Sequence, residues 1–300
     1  MKPFESFMAE QLDQYMLYRK NLGYAKNPLK PHLLSFDRYL QKQKVSWNQL
    51  QAPFFLQLRR QISTHPNIVN DILSDIRGFF QFLVRKGELD ENPLKYIPRL
   101  PKRYFVPFVF SQRQTEALIK VAGKNIRQKE KYFLLDMAKY VSVVMLARCG
   151  MRINEPLRLC LCHYRKQEAT VYIERTKFRK DRLIPIPRSV VAEIENYLAV
   201  RKIFYGNDQN PFLLAGRGDA PLKDQDVRSA FHRAVKDIGI DRPKQLIGNV
   251  TFGAPVPHSL RHSFAINTLN KIKARGESVN HALPLLATYM VHRNYQYICA

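Results

Sequence analysis

The sequence predicts a mainly α fold with a small antiparallel β-sheet, divided into a helical N-terminal domain and a larger α+β domain. Three observations predict it. Short apolar runs at helical spacing, closed by Gly or opened by Pro, fill the first hundred residues. The stretch DENPLKYIPRLPKRYFVPF then carries four prolines, too many for a continuing helix. Beyond it, a single alternating segment with a polar turn stands among further helical stretches.

In order along the chain, SFMAEQLDQYMLYRKNLG places Phe7, Leu12, Met16 and Leu17 near helical spacing and closes on Gly23. PHLLSFDRYLQKQ and a short segment near LQAPFFLQLRRQI follow, and then PNIVNDILSDIRGFFQFLVRKG, opening on Pro66 and ending at Gly87. Residues 1–91 are thus expected to be a helical domain, 92–109 a linker, and 110–300 a second domain. That domain starts at SQRQTEALIKVAG with Ser111 as helix cap. A buried helix is expected from about Lys131 to Cys149. ATVYIER, the turn TKFRKD and RLIPIP form a hairpin, the one sheet expected. Helices resume at SVVAEIENYLAVRKIF and at DQDVRSAFHRAVKDIG, where Val227, Ala230, Phe231, Ala234 and Ile238 make one apolar stripe. LRHSFAINTLNKIKAR and LPLLATYMV are the last two.

Composition narrows the function. The 300 residues hold 49 Lys+Arg against 25 Asp+Glu, a net charge of +24, with 45% hydrophobic residues. That hydrophobic share supports a packed core and argues against wholesale disorder. The charge calls for a polyanionic partner, nucleic acid first and an anionic membrane surface second. It is not an appendage: residues 1–100 carry 15 basic and 9 acidic residues, and residues 101–300 carry 34 and 16. The most apolar stretch, FLLDMAKYVSVVMLARCGM, is interrupted by Asp136, Lys139 and Arg148, so it reads as a core helix and not a membrane span. The N-terminus lacks the pattern of a secretory signal, and four cysteines are too few for a disulfide scaffold, so a reducing cytoplasmic setting is expected. Cys160, Cys162 and His163 lie close together, but without a second ligand pair at zinc-like spacing they read as ordinary core cysteines. No metal and no cofactor is expected.

Three segments concentrate basic and histidine side chains beside apolar elements that would hold them still. In LARCGMRINEPLRL, Gly150 ends a buried helix, Arg152 opens the next, and Glu155 lies one turn on, where it can orient the guanidinium. Taken alone, that pair also fits a surface salt bridge. ERTKFRKDRLIPIP gathers Arg175, Lys177, Arg179, Lys180 and Arg182 around one turn, which suits a phosphate backbone and equally a solvated loop. In PHSLRHSFA, Pro257 starts a helix on which His258 and Arg261 share a face and can aim at one anion, while His262 is expected to point elsewhere.

In this order the segments resemble the tyrosine recombinase (phage integrase) family. Gly150, Arg152 and Glu155 match its G-x-R-x-x-E segment. Lys177, Lys180, Arg182 and Pro185 match its K-x-x-K-x-R-x-x-P hairpin, and His258, Arg261, His262, Ser263 and Phe264 match its H-x-x-R-H-S-F helix. His292 in LLATYMVHRN stands where the family has a further histidine or tryptophan. The resemblance spans essentially the whole chain. It implies a helical, SAM-like core-binding domain followed by the catalytic domain, with Arg152, Lys177, His258, Arg261 and His292 as catalytic residues. It implies site-specific DNA recombination or integration for a mobile element through a 3′-phosphotyrosyl intermediate, without metal or cofactor. Double-stranded DNA at a recombination site and other protomers in a tetrameric synapse are the implied partners, in a prokaryotic, nucleoid-associated setting.

Two positions depart from the family pattern. Val291 replaces the Gly that usually precedes the last histidine, and a β-branched residue resists positive φ. The family's tyrosine follows that histidine at a spacing that falls just beyond Ala300. Tyr295 and Tyr297 stand closer to His292, where the phenol would face another way, and in-line attack tolerates only about 1 Å of misplacement. The expectation is therefore a nucleophile lost beyond residue 300, with cleavage by these residues alone not expected. The alternative is a catalytically silent DNA-binding remnant or regulator of recombination. A helical transcription regulator would explain the charge but not four ordered motifs.

Overall fold

The computed structural model describes residues 3–24, 29–174, 181–206 and 209–290. They fall into two compact units, Met1–Tyr104 and Phe105–Ala300.

Unit 1 is helical: α1 (Ala9–Asn21), α2 (Leu29–Gln43), α3 (Ala52–Gln61) and α4 (Pro66–Arg85). Helix α4 opens as anticipated on Pro66, and Gly87 follows its end with φ +76°. The buried stripe on and before α1 is Phe4, Met8, Leu12 and Tyr15, whereas Phe7 and Leu17 are exposed. The expected stripe was rotated because Tyr15 was overlooked as a core residue. Its ring meets Phe79 and Phe82 of α4, and the absence of a Cβ at Gly78 makes room for its hydroxyl. Asp37 of α2 is buried and accepts the main-chain N–H groups of Glu5 and Ser6, both at 3.0 Å, which fixes the start of the chain on the helices. Leu94 and Ile97, in the proline-crowded stretch, are buried in this unit's core.

Unit 2 begins with β1 (Tyr104–Val106), whose first residue closes unit 1, and continues with α5 (Gln112–Lys124), α6 (Glu130–Cys149) and the short α7 (Asn154–Leu157). Strands β2 (Tyr164–Arg165), β3 (Thr170–Ile173) and β4 (Arg182–Pro185) form an antiparallel sheet in which Ile173 lies opposite Arg182. Helices α8 (Arg188–Tyr205) and α9 (Asp224–Asp237), strands β5 (Gln245–Ile247) and β6 (Val250–Phe252), and helices α10 (Pro257–Ala274) and α11 (Val279–Met290) complete it. The fold is mainly α, as the sequence predicts. Among the described residues there are two three-stranded sheets where one is expected, the second in the order β1-β6-β5. Its strands are three residues long and carry mostly exposed side chains, so no alternating pattern marks them.

Helix α6 is the axis of this unit. Eleven of its twenty residues are buried, with no polar face to define a stripe. Ser111 caps α5 as expected, accepting the Gln114 N–H at 3.2 Å. Of the cysteines expected in the core, Cys149 is buried, but Cys160 is half-buried and Cys162 exposed. They sit at the start and in the middle of a 3-10 turn, Leu161–His163, in which Leu161 and Cys162 are exposed. Among the described residues, no helix is long and apolar enough to cross a membrane.

Near the start of α6, Asp136 is held by Arg127 at 2.7 Å and Lys139 at 2.9 Å. Burial would raise its carboxyl pKa, but the two cations outweigh burial and hold it at about 2. A depressed folded-state pKa stabilises above the ordinary carboxylate range, and the contribution is lost as pH falls through about 2. Asp136→Asn should therefore cost unit 2 about 1–2 kcal/mol in urea unfolding between pH 7 and 5. The deficit should shrink below about pH 4, and a deficit independent of pH would contradict the ion-pair account.

Candidate functional site

The site grows from the end of α6. Gly150 adopts φ +58°, and a Cβ there would lie 2.5 Å from the Phe264 ring, so glycine is required by both backbone and packing. The chain then turns sharply into α7, and the turn is tied by Glu155. Its Oε2 accepts the main-chain N–H of Arg152 at 2.8 Å, and its Oε1 accepts the Arg152 guanidinium at 3.0 Å. The pairing inferred from the three-residue spacing is present. It is not a surface pair, because the Glu155 side chain is only 9% exposed.

The same carboxylate serves a second guanidinium. Arg182 of β4 donates to Glu155 Oε2 at 2.8 Å and to the main-chain oxygen of Tyr289 at 2.6 Å. Burial pushes its pKa down, and Glu155 opposes that. Arg182, expected among the basic residues of the hairpin turn and as part of the K-x-x-K-x-R-x-x-P pattern, instead turns inward to partners 27 and 107 residues away, beyond what local spacing reveals.

Arg261 of α10 is the largest fully buried side chain, 1% exposed. It donates to the main-chain oxygen of Gly150 at 2.6 Å and to that of Met290. Burial, with Arg152 adding to it, pushes its pKa down to about 9, still a cation at neutral pH. Tyr289 completes the arrangement: its hydroxyl donates to the Cys149 oxygen at 3.0 Å and its ring stacks on Phe264. Ser263, on the same helix, accepts the Phe110 N–H at 2.7 Å and so fixes α10 at the start of the unit.

A cavity of about 780 Å³ opens over this framework, lined by Arg152, Glu155, Arg158, His163, Glu174 and His258 among others. His258 is exposed there, whereas Arg261 lies behind the wall and does not line it. His262, expected to point elsewhere, instead packs edge to face on His258 with ring centroids 4.9 Å apart. Residues four apart on a helix share a face, a relation the sequence reading passed over. Burial, with Arg261 contributing, lowers the His262 pKa and favours its neutral form.

Of the five residues singled out, the structure places Arg152 and His258 on one cavity and buries Arg261 against the Gly150 carbonyl, outside the cavity's lining. Lys177 and His292 lie outside the described residues, as do Tyr295 and Tyr297. Among the described residues, no cluster of three His, Cys, Asp or Glu side chains could hold a metal ion.

Fold and residue pattern together are those of the tyrosine recombinases. The chain belongs to the phage integrase family, whose sequence model matches residues 109–279. It is 26% identical to y4rE of Sinorhizobium fredii, by its name an integrase/recombinase, over 98% of this chain and 91% of that one. It is also 26% identical to the tyrosine recombinase XerC of Listeria welshimeri, over 79% of this chain and 75% of that one. The fold matches that of XerH site-specific recombinase bound to its difH substrate with a TM-score of 0.67, at 18% identity, over 97% of this chain and 80% of that one.

Gly150→Ala should cost unit 2 about 2–4 kcal/mol, from positive φ and from the collision with Phe264. Adding Phe264→Ala relieves only the collision, so thermal unfolding of the double variant should show Gly150→Ala costing about 1 kcal/mol against Phe264→Ala alone.

Proposed function

We propose that the protein is a site-specific DNA recombinase or integrase of a mobile element, cutting and rejoining double-stranded DNA through a 3′-phosphotyrosyl intermediate. The observation that supports it most directly is the gathering of Arg152, Arg182 and Arg261 around the single carboxylate of Glu155, beside a cavity that also exposes His258. Three guanidiniums against one carboxylate leave a local excess of positive charge, which favours an anion that can accept forked hydrogen bonds.

In this reading residues 110–300 form the catalytic domain, residues 1–91 the core-binding domain, and residues 92–109 the linker. Arg152 and Arg261 donate to the non-bridging oxygens of the scissile phosphate, where attack by a tyrosine builds negative charge. The tyrosine oxygen displaces the 5′ oxygen, whose proton comes from Lys177, while His258 takes the proton of the phenol and His292 hydrogen-bonds the phosphate. The phosphodiester bond energy is kept in the phosphotyrosine, so rejoining needs no nucleotide cofactor. Duplex DNA and further protomers are the proposed partners. Relatives in fold support this, among them a lambda integrase tetramer bound to a Holliday junction and the Tn1549 transposon integrase bound to transposon end DNA.

A second reading, a catalytically silent DNA-binding protein, is favoured by one observation: Arg261 is buried and its terminal nitrogens are engaged by the carbonyls of Gly150 and Met290.

The test uses the full product of the gene and nicked duplexes tiled across the DNA that flanks it, resolved on denaturing gels. A covalent protein–DNA band is expected, and peptide mapping of the adduct locates the tyrosine. Survival of the band in both Tyr295→Phe and Tyr297→Phe would place the nucleophile elsewhere. Arg152→Ala should lower the band's rate of formation by about 100–1,000-fold while leaving duplex binding within about threefold. Site-specific binding with no band would favour the silent reading. Binding itself should weaken about 1,000-fold or more between 50 and 200 mM salt if six or more phosphates are contacted.

A further inference from the structure

The carbonyl oxygens at the end of an α-helix have no partner within the helix and carry its negative dipole end. The last two carbonyls of α11 each receive a guanidinium: Arg182 donates to Tyr289 O at 2.6 Å, and Arg261 donates to Met290 O. Arg182 differs from Arg261 in what it holds with its other nitrogen. That nitrogen donates to Glu155 Oε2 at 2.8 Å, the atom that also accepts the Arg152 main-chain N–H. Arg182 itself stands on β4, directly across from Ile173 at the mouth of the β3–β4 hairpin. One side chain thus ties together the hairpin, the Arg152–Glu155 turn and the end of α11.

We propose that Arg182 is a positioning residue, which fixes strand β4 and the Tyr289 turn of α11 relative to Arg152 and so assembles the anion site as one unit. What that unit does rests on the recombinase reading; that Arg182 assembles it rests on geometry alone. Arg182 does not itself contact the substrate phosphate. Its fork is divided between the Glu155 carboxylate, which neutralises it, and the Tyr289 carbonyl, whereas Arg261 donates to main-chain carbonyls that leave its charge. Its Nε is buried without a hydrogen-bond partner, a cost accepted to keep the fork between two acceptors. Lysine cannot replace it. A single ammonium on a flexible stem can satisfy Glu155 or the Tyr289 carbonyl, but it lacks the planar fork that spans both.

The experiment compares the full chain with its Arg182→Gln and Arg182→Lys variants by hydrogen–deuterium exchange, duplex binding and covalent-adduct formation. In Arg182→Gln, amide exchange should rise by about tenfold in the last turn of α11 and in the Gly150–Glu155 turn together, while α5 and α9 keep their protection. Duplex affinity should stay within about threefold, and adduct formation should fall on the order of 100-fold. Arg182→Lys should loosen one of the two segments and not both.

A uniform rise across unit 2 would mean that Arg182 merely stabilises the fold, and no rise at α11 would mean that the helix end is held without it. Either result overturns the proposal. So does wild-type adduct formation by Arg182→Gln. If the wild-type protein forms no adduct, the recombinase reading fails separately, and the exchange pattern alone decides the role of Arg182.

Discussion

The end of α6 and the last described turn of α11 meet in unit 2, and a buried cation lies between them. The end of α6 presents the carbonyls of Cys149 and Gly150, and the end of α11 those of Tyr289 and Met290. The end of α6 carries roughly half a negative charge, and the carbonyls of Tyr289 and Met290 add their dipoles beside it, so bringing them together without a counterion would be repulsive. Arg261 donates to Gly150 and Met290, Arg182 to Tyr289, and the Tyr289 hydroxyl to Cys149. The requirement for glycine at 150, the stacking of Phe264 on Tyr289 and the burial of Arg261 all follow from bringing these ends together.

A buried arginine is costly unless its donors are met, and here both terminal nitrogens of Arg261 donate to main-chain oxygens, while its Nε is buried without a partner. That choice of partner matters. A carboxylate would have neutralised Arg261, whereas carbonyl dipoles satisfy its hydrogens and leave most of its charge. Glu155, a carboxylate in contact with the group, is shared by Arg152 and Arg182. The cluster therefore keeps a positive excess in a partly desolvated place, where an anion is attracted more strongly than at a surface lysine. On the proposed reading Arg261 serves both the phosphate and the carbonyls of Gly150 and Met290, so the geometry of one role constrains the other.

The sequence revealed what depends on neighbours along the chain. Ser111 and its cap, Pro66 at the head of α4, the alternation of β3, and the Arg152–Glu155 pair all express spacings of four residues or fewer. Pairings across the fold were not legible. Nothing in the spacing of Arg182 announces a carbonyl 107 residues on, and nothing in LPLLATYMV marks Tyr289 as the side chain that caps α6. The β1-β6-β5 sheet was missed for a different reason: with exposed side chains and three-residue strands, it buries too little to leave a pattern. The His258–His262 contact was within reach of helical periodicity and went unread.

The +24 charge divides by what the protein does with each cation. On the proposed reading, exposed lysines and arginines act through the counterions they release on meeting DNA, so they govern affinity, depend on salt and are individually replaceable. The buried arginines act through direction. Arg182 and Arg261 have planar forks fixed by acceptors on both sides, and no change in ionic strength alters where they point. On the proposed reading, how tightly the chain holds DNA and how accurately it addresses a phosphate are set by different residues. The accuracy then rests on Glu155, a carboxylate whose removal would raise the net charge and yet weaken the anion site, because the guanidiniums it aligns would no longer point the same way.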